Sequence, residues 1–242
     1  MTHVLDDAIG SALRGNQAHL AVHDSASASA SGSGSGSASA ARFRPSVAPF
    51  ASVGLAPSAE SWSALRAIAG DESAAMFVVP GFAVPDDWER LATLTLTQLT
   101  DDDVDPHAVE AQRRTRALTR ADVPEMLRLT AETQPGPFLD DTIEFGGYRG
   151  VFDGDTLVAL AGRRLNPTGW VEVSAVCTDP RYRGRGYARE LVLDVVRGIR
   201  QGGERAFLHV ATGNPARGLY EAIGFVPRRD FEVAVIRARS AA

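Results

Sequence analysis

The sequence predicts an α/β protein (α+β in stricter schemes) with a small N-terminal α/β domain, residues 1–105, and a larger C-terminal domain, residues 106–242. Three observations predict this organisation. Strand-like and helix-like patterns alternate regularly in the C-terminal part. A polar run containing Asp101, Asp102, Asp103, Asp105 and Pro106 separates that part from the rest. Residues 24–41 are almost entirely Ser, Ala and Gly, so we expect a flexible segment there.

The composition is ordinary for a globular protein and excludes several function classes. Of the 242 residues 44% are hydrophobic and 23% are charged, and the net charge of -5 argues against non-specific nucleic-acid binding. Between residues 181 and 205 seven Arg face three acidic residues, a local excess that suits a polyanionic small ligand. All 25 basic residues are Arg, which excludes mechanisms that need a Schiff-base or P-loop lysine.

Cysteine content and hydropathy add further limits. Cys177 is the only cysteine, which excludes an intrachain disulfide and a cluster of cysteine metal ligands, and we expect no metal. No apolar run approaches the roughly 20 residues of a membrane span, and no signal peptide is evident. We therefore expect a cytoplasmic protein, monomeric or homodimeric, that binds neither membrane nor nucleic acid.

Short apolar patterns predict a modest set of elements in the N-terminal part. We expect helices over residues 5–20 and 61–68, strands over 75–79 and 94–99, and a helix start at Pro85, with Asp86 and Asp87 near its positive end. No motif in this part carries chemistry.

The C-terminal part has a clearer pattern. Thr119 is a suitable cap for a helix, and Gly154 and Gly202 lie where a hairpin turn and a helix stop are expected. The predicted strands cover residues 148–152, 157–164, 170–178, 206–211 and 231–237, and the predicted helices 188–200 and 215–223.

A glycine-rich loop joins the strand 170–178 to the helix that follows. Gly184 and Gly186 let the backbone turn tightly and approach a ligand without Cβ clashes. The helix N-terminus supplies N–H groups and a positive dipole end, which together suit a pyrophosphate. A Gly-x-Gly pair is weak evidence by itself. Arg183 and Arg185 add positive charge, and the alternative for each is a solvated surface arginine. The Rossmann and P-loop fingerprints are absent.

A second motif follows the strand 206–211. Asn214 can cap a helix beginning at Pro215, and Gly224 ends that helix. Tyr220 lies on the same helix. Its phenol is either a packing group or a general acid beside a leaving thiolate.

These two motifs, in this order, resemble those of the GNAT superfamily of N-acetyltransferases, in the branch with an additional N-terminal domain. Residues 173–188 match its signature of a strand running into Arg/Gln-x-x-Gly-x-Gly/Ala. Residues 214–225 match Asn-x-x-Ala-x-x-x-Tyr-x-x-x-Gly-Phe, with Ala216 one position early. The resemblance covers residues 119–237 and implies a mixed, mostly antiparallel twisted sheet flanked by helices. The cofactor would lie where the strands 170–178 and 206–211 splay apart.

The resemblance also implies roles for matching residues. Tyr220 would protonate the departing thiolate, and Asn214 would contact the pantetheine arm. The main chain of Val176, Cys177 and Thr178 would pair with that arm like an added strand, and one N–H there would polarise the thioester carbonyl. The pyrophosphate of acetyl-CoA would bind to the loop residues Arg183, Gly184, Arg185, Gly186, Tyr187 and Ala188.

The general base is open at the level of sequence. Strand alternation puts Trp170, Glu172, Ser174 and Val176 on one face, which makes Glu172 the candidate. An ion pair with an arginine such as Arg163 is the equal alternative.

Three further residues have competing interpretations. His209 is expected to be a satisfied core histidine rather than a catalytic one. Cys177 is expected to be structural, because direct transfer needs no acyl-cysteine. Phe138, in the rigid loop 134–138, either lines the acceptor pocket or belongs to a plain turn.

The sequence thus predicts an N-acetyltransferase that moves an acetyl group from acetyl-CoA to a primary amine by direct attack. A small-molecule amine or a peptide N-terminus is the expected acceptor. A GNAT-fold acyl-CoA sensor or pseudoenzyme acting through a partner is the alternative, and an unrelated nucleotide-binding α/β protein is a third, weaker one.

Overall fold

The computed structural model describes residues 2–22, 40–107 and 115–239. Of the segment 24–41, only Ala40 and Ala41 are among them. The helices are α1 (Ala8–Arg14), α2 (Ala59–Ala69), α3 (Val123–Thr133), α4 (Tyr187–Gln201) and α5 (Ala216–Ile223). The strands are β1 (Ala41–Arg42), β2 (Ala51–Ser52), β3 (Ala74–Val78), β4 (Trp88–Thr100), β5 (Thr115–Ala117), β6 (Arg149–Asp153), β7 (Thr156–Arg163), β8 (Trp170–Thr178), β9 (Arg205–Ala211) and β10 (Val226–Ala238).

Eight of these strands form one sheet in the order β3-β10-β4-β9-β8-β7-β6-β5. Every neighbouring pair is antiparallel except β8 and β9, which are parallel. β1 and β2 form a separate two-stranded sheet. The prediction of a mixed, mostly antiparallel sheet flanked by helices is confirmed.

Both parts of the chain build this sheet. β3 and β4 precede the boundary predicted after residue 105, yet β10 pairs with both of them and lies between them. β4 also pairs with β9 through residues 96–100. The predicted domains 1–105 and 106–242 therefore share a single sheet.

Helices cover the two faces of the sheet. α4 presents Leu191, Val192, Val195, Val196 and Ile199 to one face, at the spacing of an amphipathic helix, and all five are buried. α5 packs in the same cluster. On the opposite face, α1 and α3 pack with Phe43, Phe145 and Trp170 in a second cluster.

Two predicted helices in the N-terminal part are wrong in different ways. The pattern over residues 5–20 breaks into a 3-10 turn at Val4–Asp7, α1, and a second turn at Ala18–Leu20, with Gly15 ending α1. No helix begins at Pro85, because β4 starts at Trp88, whose ring packs 5.5 Å from that of Trp62. The Asp87 carboxylate accepts a hydrogen bond from Arg66 instead of lying at a helix end.

Candidate active site

The parallel strands β8 and β9 separate soon after they meet. They pair only through Trp170, Val171 and Glu172 on β8 and residues 205–207 on β9 within the described part of the chain. Beyond that point a cavity of about 820 Å³ opens between them. Residues 173–178 of β8 line it on one side and His209, Val210 and Ala211 on the other. The predicted splay of these two strands is confirmed.

β8 carries a bulge at the cavity. Leu160 on β7 pairs with Cys177 and Gly162 pairs with Ser174, so β8 has one residue more than β7 between these pairs. Ala175 adopts φ +54°, a left-handed conformation that is uncommon for a residue with a Cβ. Backbone strain of this kind is concentrated at functional sites, so the bulge makes this part of β8 a candidate functional segment.

The bulge corrects the predicted alternation along β8. Val176 packs with Val171 and Val173 in the cluster that contains α4. Cys177 packs in the other cluster, with Trp170. The extra residue therefore moves Val176 to the face opposite Trp170, and the prediction that they share a face is wrong.

The glycine-rich loop has the backbone that its sequence requires. Gly184 adopts φ +76° and Gly186 φ +80°, conformations that glycine accepts at little cost. A Cβ built on either residue would meet no atom within 4 Å, so the space around the loop is open. α4 begins at Tyr187, which directs the positive end of its dipole at the loop.

The arginines of the loop lie differently. Arg183 lines the cavity, and its Nε donates to the carbonyl of Thr178 at 3.4 Å. The Arg185 guanidinium lies 4.8 Å from the centre of the Tyr182 ring. Ala188, on the first turn of α4, also lines the cavity.

Tyr220 and Asn214 reach the cavity from α5 and the turn before it. Tyr220 is 8% exposed, and burial, together with the nearby Cys177, raises the pKa of its phenol to about 12. The phenol is therefore protonated at neutral pH. The helix begins at Ala216 rather than Pro215, so Pro215 and not Asn214 is its N-cap residue; the Asn214 Oδ1 still accepts from the Ala216 N–H at 2.9 Å.

Cys177 is buried in the wall of the cavity. Burial raises the pKa of its thiol to about 11. The thiolate is the nucleophilic form of cysteine, and this environment disfavours it.

Glu172 lies beneath the cavity and does not line it. Its side chain is fully buried, with Oε1 2.5 Å from Arg164 Nη2 and 2.7 Å from His209 Nδ1, and Oε2 2.8 Å from Arg164 Nε. Burial alone would raise the pKa of Glu172, but the charge and hydrogen bonds of Arg164, with His209, lower it to about 2.

These contacts correct the sequence interpretation of Glu172. A carboxylate with a pKa near 2 is a poor proton acceptor, and its oxygens are already engaged. Glu172 forms an ion pair, as the alternative interpretation proposed, but its partner is Arg164 and not Arg163. Arg164 lines the cavity. Its role was not predicted, because strand alternation alone does not indicate which of two adjacent arginines turns inward.

His209 belongs to a chain of hydrogen-bonded side chains that links Gln98, in the N-terminal part, to Glu172, in the C-terminal part. The Gln98 Oε1 accepts from Arg228, so the Gln98 amide nitrogen faces His209 Nε2 at 3.0 Å. His209 Nε2 is therefore the acceptor, and Nδ1 carries the proton that is donated to Glu172. The expectation of a satisfied histidine agrees with these contacts, although its ring also lines the cavity.

Phe138 does not line the cavity. Its ring packs edge-on against Tyr148 at 5.6 Å between centroids. The residues before it, Gln134, Pro135, Gly136 and Pro137, line the cavity instead. The loop therefore lines the cavity through residues 134–137, whereas the prediction that Phe138 lines it is wrong.

The far wall of the cavity, which we call the apolar floor, was not predicted from the sequence. β10 contributes the middle row, with neighbours on β3 and β4 at each level of the sheet. Val233 lies between Phe77 and Leu94, and Val235 lies between Ala75 and Ala92. All of these residues line the cavity. The apolar floor consists of Ala75, Phe77, Ala92, Leu94, Val233 and Val235.

No helix among the described residues is long and apolar enough to cross a membrane. No group of three or more His, Cys, Asp or Glu side chains in residues 2–22, 40–107 and 115–239 is placed to hold a metal ion.

Comparisons with known proteins point to one family. Residues 148–233 match the model of the FR47-like protein family. The chain is 36% identical over 121 residues to the N-alpha-acetyltransferase RimI of Mycobacterium tuberculosis, a match spanning 45% of this chain and 75% of that protein. The crystal structure of a GNAT-family protein from Novosphingobium aromaticivorans superposes with a TM-score of 0.84 and 30% identity, covering 99% of this chain and 100% of that one. A GCN5-related N-acetyltransferase from Kribbella flavida, at 16% identity, shares the fold with a TM-score of 0.52 over 82% of this chain and 78% of that one.

Proposed function

We propose that this chain, which belongs to the GNAT superfamily and is an acetyltransferase of that family, transfers an acetyl group from acetyl-CoA to a primary amine by direct attack. One observation carries the proposal. The bulged, open edge of β8 and the phenol of Tyr220 meet at the same cavity.

The donor would bind along three features of this cavity. The pyrophosphate would bind to the backbone of residues 183–188, where both glycines have positive φ and the surrounding space is open. The pantetheine arm would pair with the main chain of Val176, Cys177 and Thr178, which have no strand partner on the β9 side in the described structure. Asn214 would contact the arm from the opposite wall.

The reaction needs one proton donor at the sulfur and one acceptor for the amine proton. The amine nitrogen attacks the thioester carbonyl carbon, and a main-chain N–H at the β8 bulge stabilises the oxygen as negative charge develops on it. The C–S bond then breaks, and Tyr220 donates its proton to the leaving sulfur. The amine loses a proton, which restores the phenol through solvent, so that the products are an amide and free CoA.

Glu172 has no direct part in this scheme. Its carboxylate is paired with Arg164 beneath the cavity wall, and no Asp or Glu is present among the described residues that line the cavity. The proton of the amine therefore leaves through water in the cavity mouth.

A thiol-release assay tests the proposal. The purified protein is mixed with acetyl-CoA and a panel of primary amines, free CoA is detected with a thiol reagent, and the acetylated amine is identified by mass spectrometry. We expect stoichiometric amide and CoA with at least one amine class. CoA binding by calorimetry without thiol release for any class would refute the proposal and favour a sensor.

A further inference from the structure

The apolar floor faces the part of the cavity beyond the open edge of β8. An aromatic pair extends the apolar floor at Phe77, because the Phe50 ring lies 5.3 Å from that of Phe77 and also lines the cavity. The acetyl group of the proposed donor is too short to cover these rows of side chains. The apolar floor is therefore left for the acceptor. Apolar surface of this kind gains free energy when an apolar body covers it.

The ionised side chains among the described residues that line the cavity are all arginines. Arg164 and Arg183 line it, whereas none of the described lining residues is Asp or Glu. The Glu172 carboxylate is buried and paired with Arg164, and it does not line the cavity, so it is not available to attract a cation. An acceptor with two or more positive charges would lose hydration in the cavity without gaining a counter-charge.

The absence of Asp and Glu among the described lining residues also affects which amines can react. Without a carboxylate in the described wall, the amine must enter largely as the neutral base. An α-amino group has a pKa of about 7.7–8.0, against about 10.4 for an alkyl amine such as that of lysine. At pH 7 the neutral fraction of an α-amine is thus roughly 200- to 400-fold larger.

We propose that the acceptor is an α-amino group on a residue with an apolar side chain, and that this side chain lies on the apolar floor. The inference rests on the proposed function and names the substrate class of the same site. Free amino-acid derivatives and peptide N-termini share this chemistry.

The first experiment compares acceptors with the wild-type protein at saturating acetyl-CoA. Leucinamide and a hexapeptide beginning with Leu represent the two sources, hexylamine has an apolar body with a more basic amine, and putrescine is a dication. We expect kcat/KM at pH 7 to be at least about tenfold higher for a leucyl acceptor than for either hexylamine or putrescine. The better of the two leucyl acceptors identifies the source.

The second experiment changes the apolar floor at its exposed end. Leu94 is 50% exposed and lines the cavity, whereas Leu91, on the same strand and 43% exposed, does not line it. Leu94→Glu should lower kcat/KM for the leucyl acceptor about tenfold and raise it for putrescine. The matched control Leu91→Glu should leave both values within about twofold, and neither change should alter the Kd for CoA.

The outcomes separate the inference from the proposed function. Turnover with a preference for putrescine or hexylamine would overturn the inference and leave the proposed function standing. No turnover with any amine would overturn both. Equal behaviour of Leu94→Glu and Leu91→Glu, or a preference for octanoyl-CoA that Leu94→Glu abolishes, would show that the apolar floor does not bind the acceptor.

Discussion

Replacing Glu172 with Gln tests whether this carboxylate is a structural ion or a catalytic base. The substitution keeps the volume of the side chain and removes its charge. Arg164, only 13% exposed, would then lack its counter-ion. Removing one partner of a buried ion pair costs about 3–5 kcal/mol, because the other charge stays buried without compensation. We expect the free energy of unfolding to fall by that amount.

The pKa of Glu172 gives a second measure of the same effect. Its ordinary value is 4.5, and the folded protein lowers it to about 2. At about 1.4 kcal/mol for each pKa unit, this shift corresponds to roughly 3 kcal/mol, in agreement with the first figure. Since the folded pKa is depressed, this stabilisation is present above pH 4.5 and is lost as the pH falls from 4.5 towards 2. The loss over this range should be smaller in Glu172→Gln.

Urea unfolding followed by circular dichroism measures both effects. The control is Glu221→Gln, which removes the same charge from an exposed pair with Arg217 and should cost no more than about 0.5 kcal/mol. Adding Arg164→Met to Glu172→Gln should restore part of the lost stability, because the uncompensated charge is removed. Wild-type stability of Glu172→Gln together with a fall in kcat of about 10² or more would show instead that Glu172 is a catalytic base.

Four other predictions test the site and the fold. Tyr220→Phe should lower kcat by about 10²–10⁴ with an unchanged Kd for CoA, because only the proton donor is removed; equal kcat would exclude the general-acid role. Gly186→Val should weaken CoA binding by calorimetry about 5- to 100-fold, because φ +80° is strained for valine, whereas Arg185→Ala should change the Kd less than about threefold; similar Kd values for wild type and Gly186→Val would contradict this. Cys177→Ala should keep turnover within about threefold, since the buried thiol is protonated at neutral pH, and complete loss of turnover would reinstate an acyl-cysteine. A fragment of residues 106–242 should fail to give a cooperative unfolding transition, because β10 would lose both of its neighbours, and a folded, CoA-binding fragment would show that the predicted boundary is a true one.

The features best predicted from the sequence are local ones. The bounds of β8 agree with the predicted strand 170–178, and the glycine-rich loop and α4 follow as expected. Each depends on residues adjacent in the chain, such as the glycines that positive φ requires. The bulge at Ala175 lies in the same stretch and was not predicted, because alanine gives no sign of a left-handed conformation.

The features that were missed depend on distant pairing. The polar sequence around Asp86 and Asp87 is compatible with a helix start, but β4 gains two strand neighbours that are more than 100 residues away. Arg164 was missed for a similar reason. Its inward position depends on Glu172, which lies on the neighbouring strand and is the counter-ion that a buried guanidinium requires.

The proposed donor and acceptor sites therefore differ in how they are encoded. The proposed donor site is formed by β8, the loop and α5, which are close in the sequence and carry the family motifs. The apolar floor is formed by β10 lying between β3 and β4, so its shape depends on strands from both ends of the chain. Substitutions on β3 or β4 can change the apolar floor without altering a donor-site residue. For this reason motifs identify the reaction, whereas the acceptor has to be inferred from the assembled sheet.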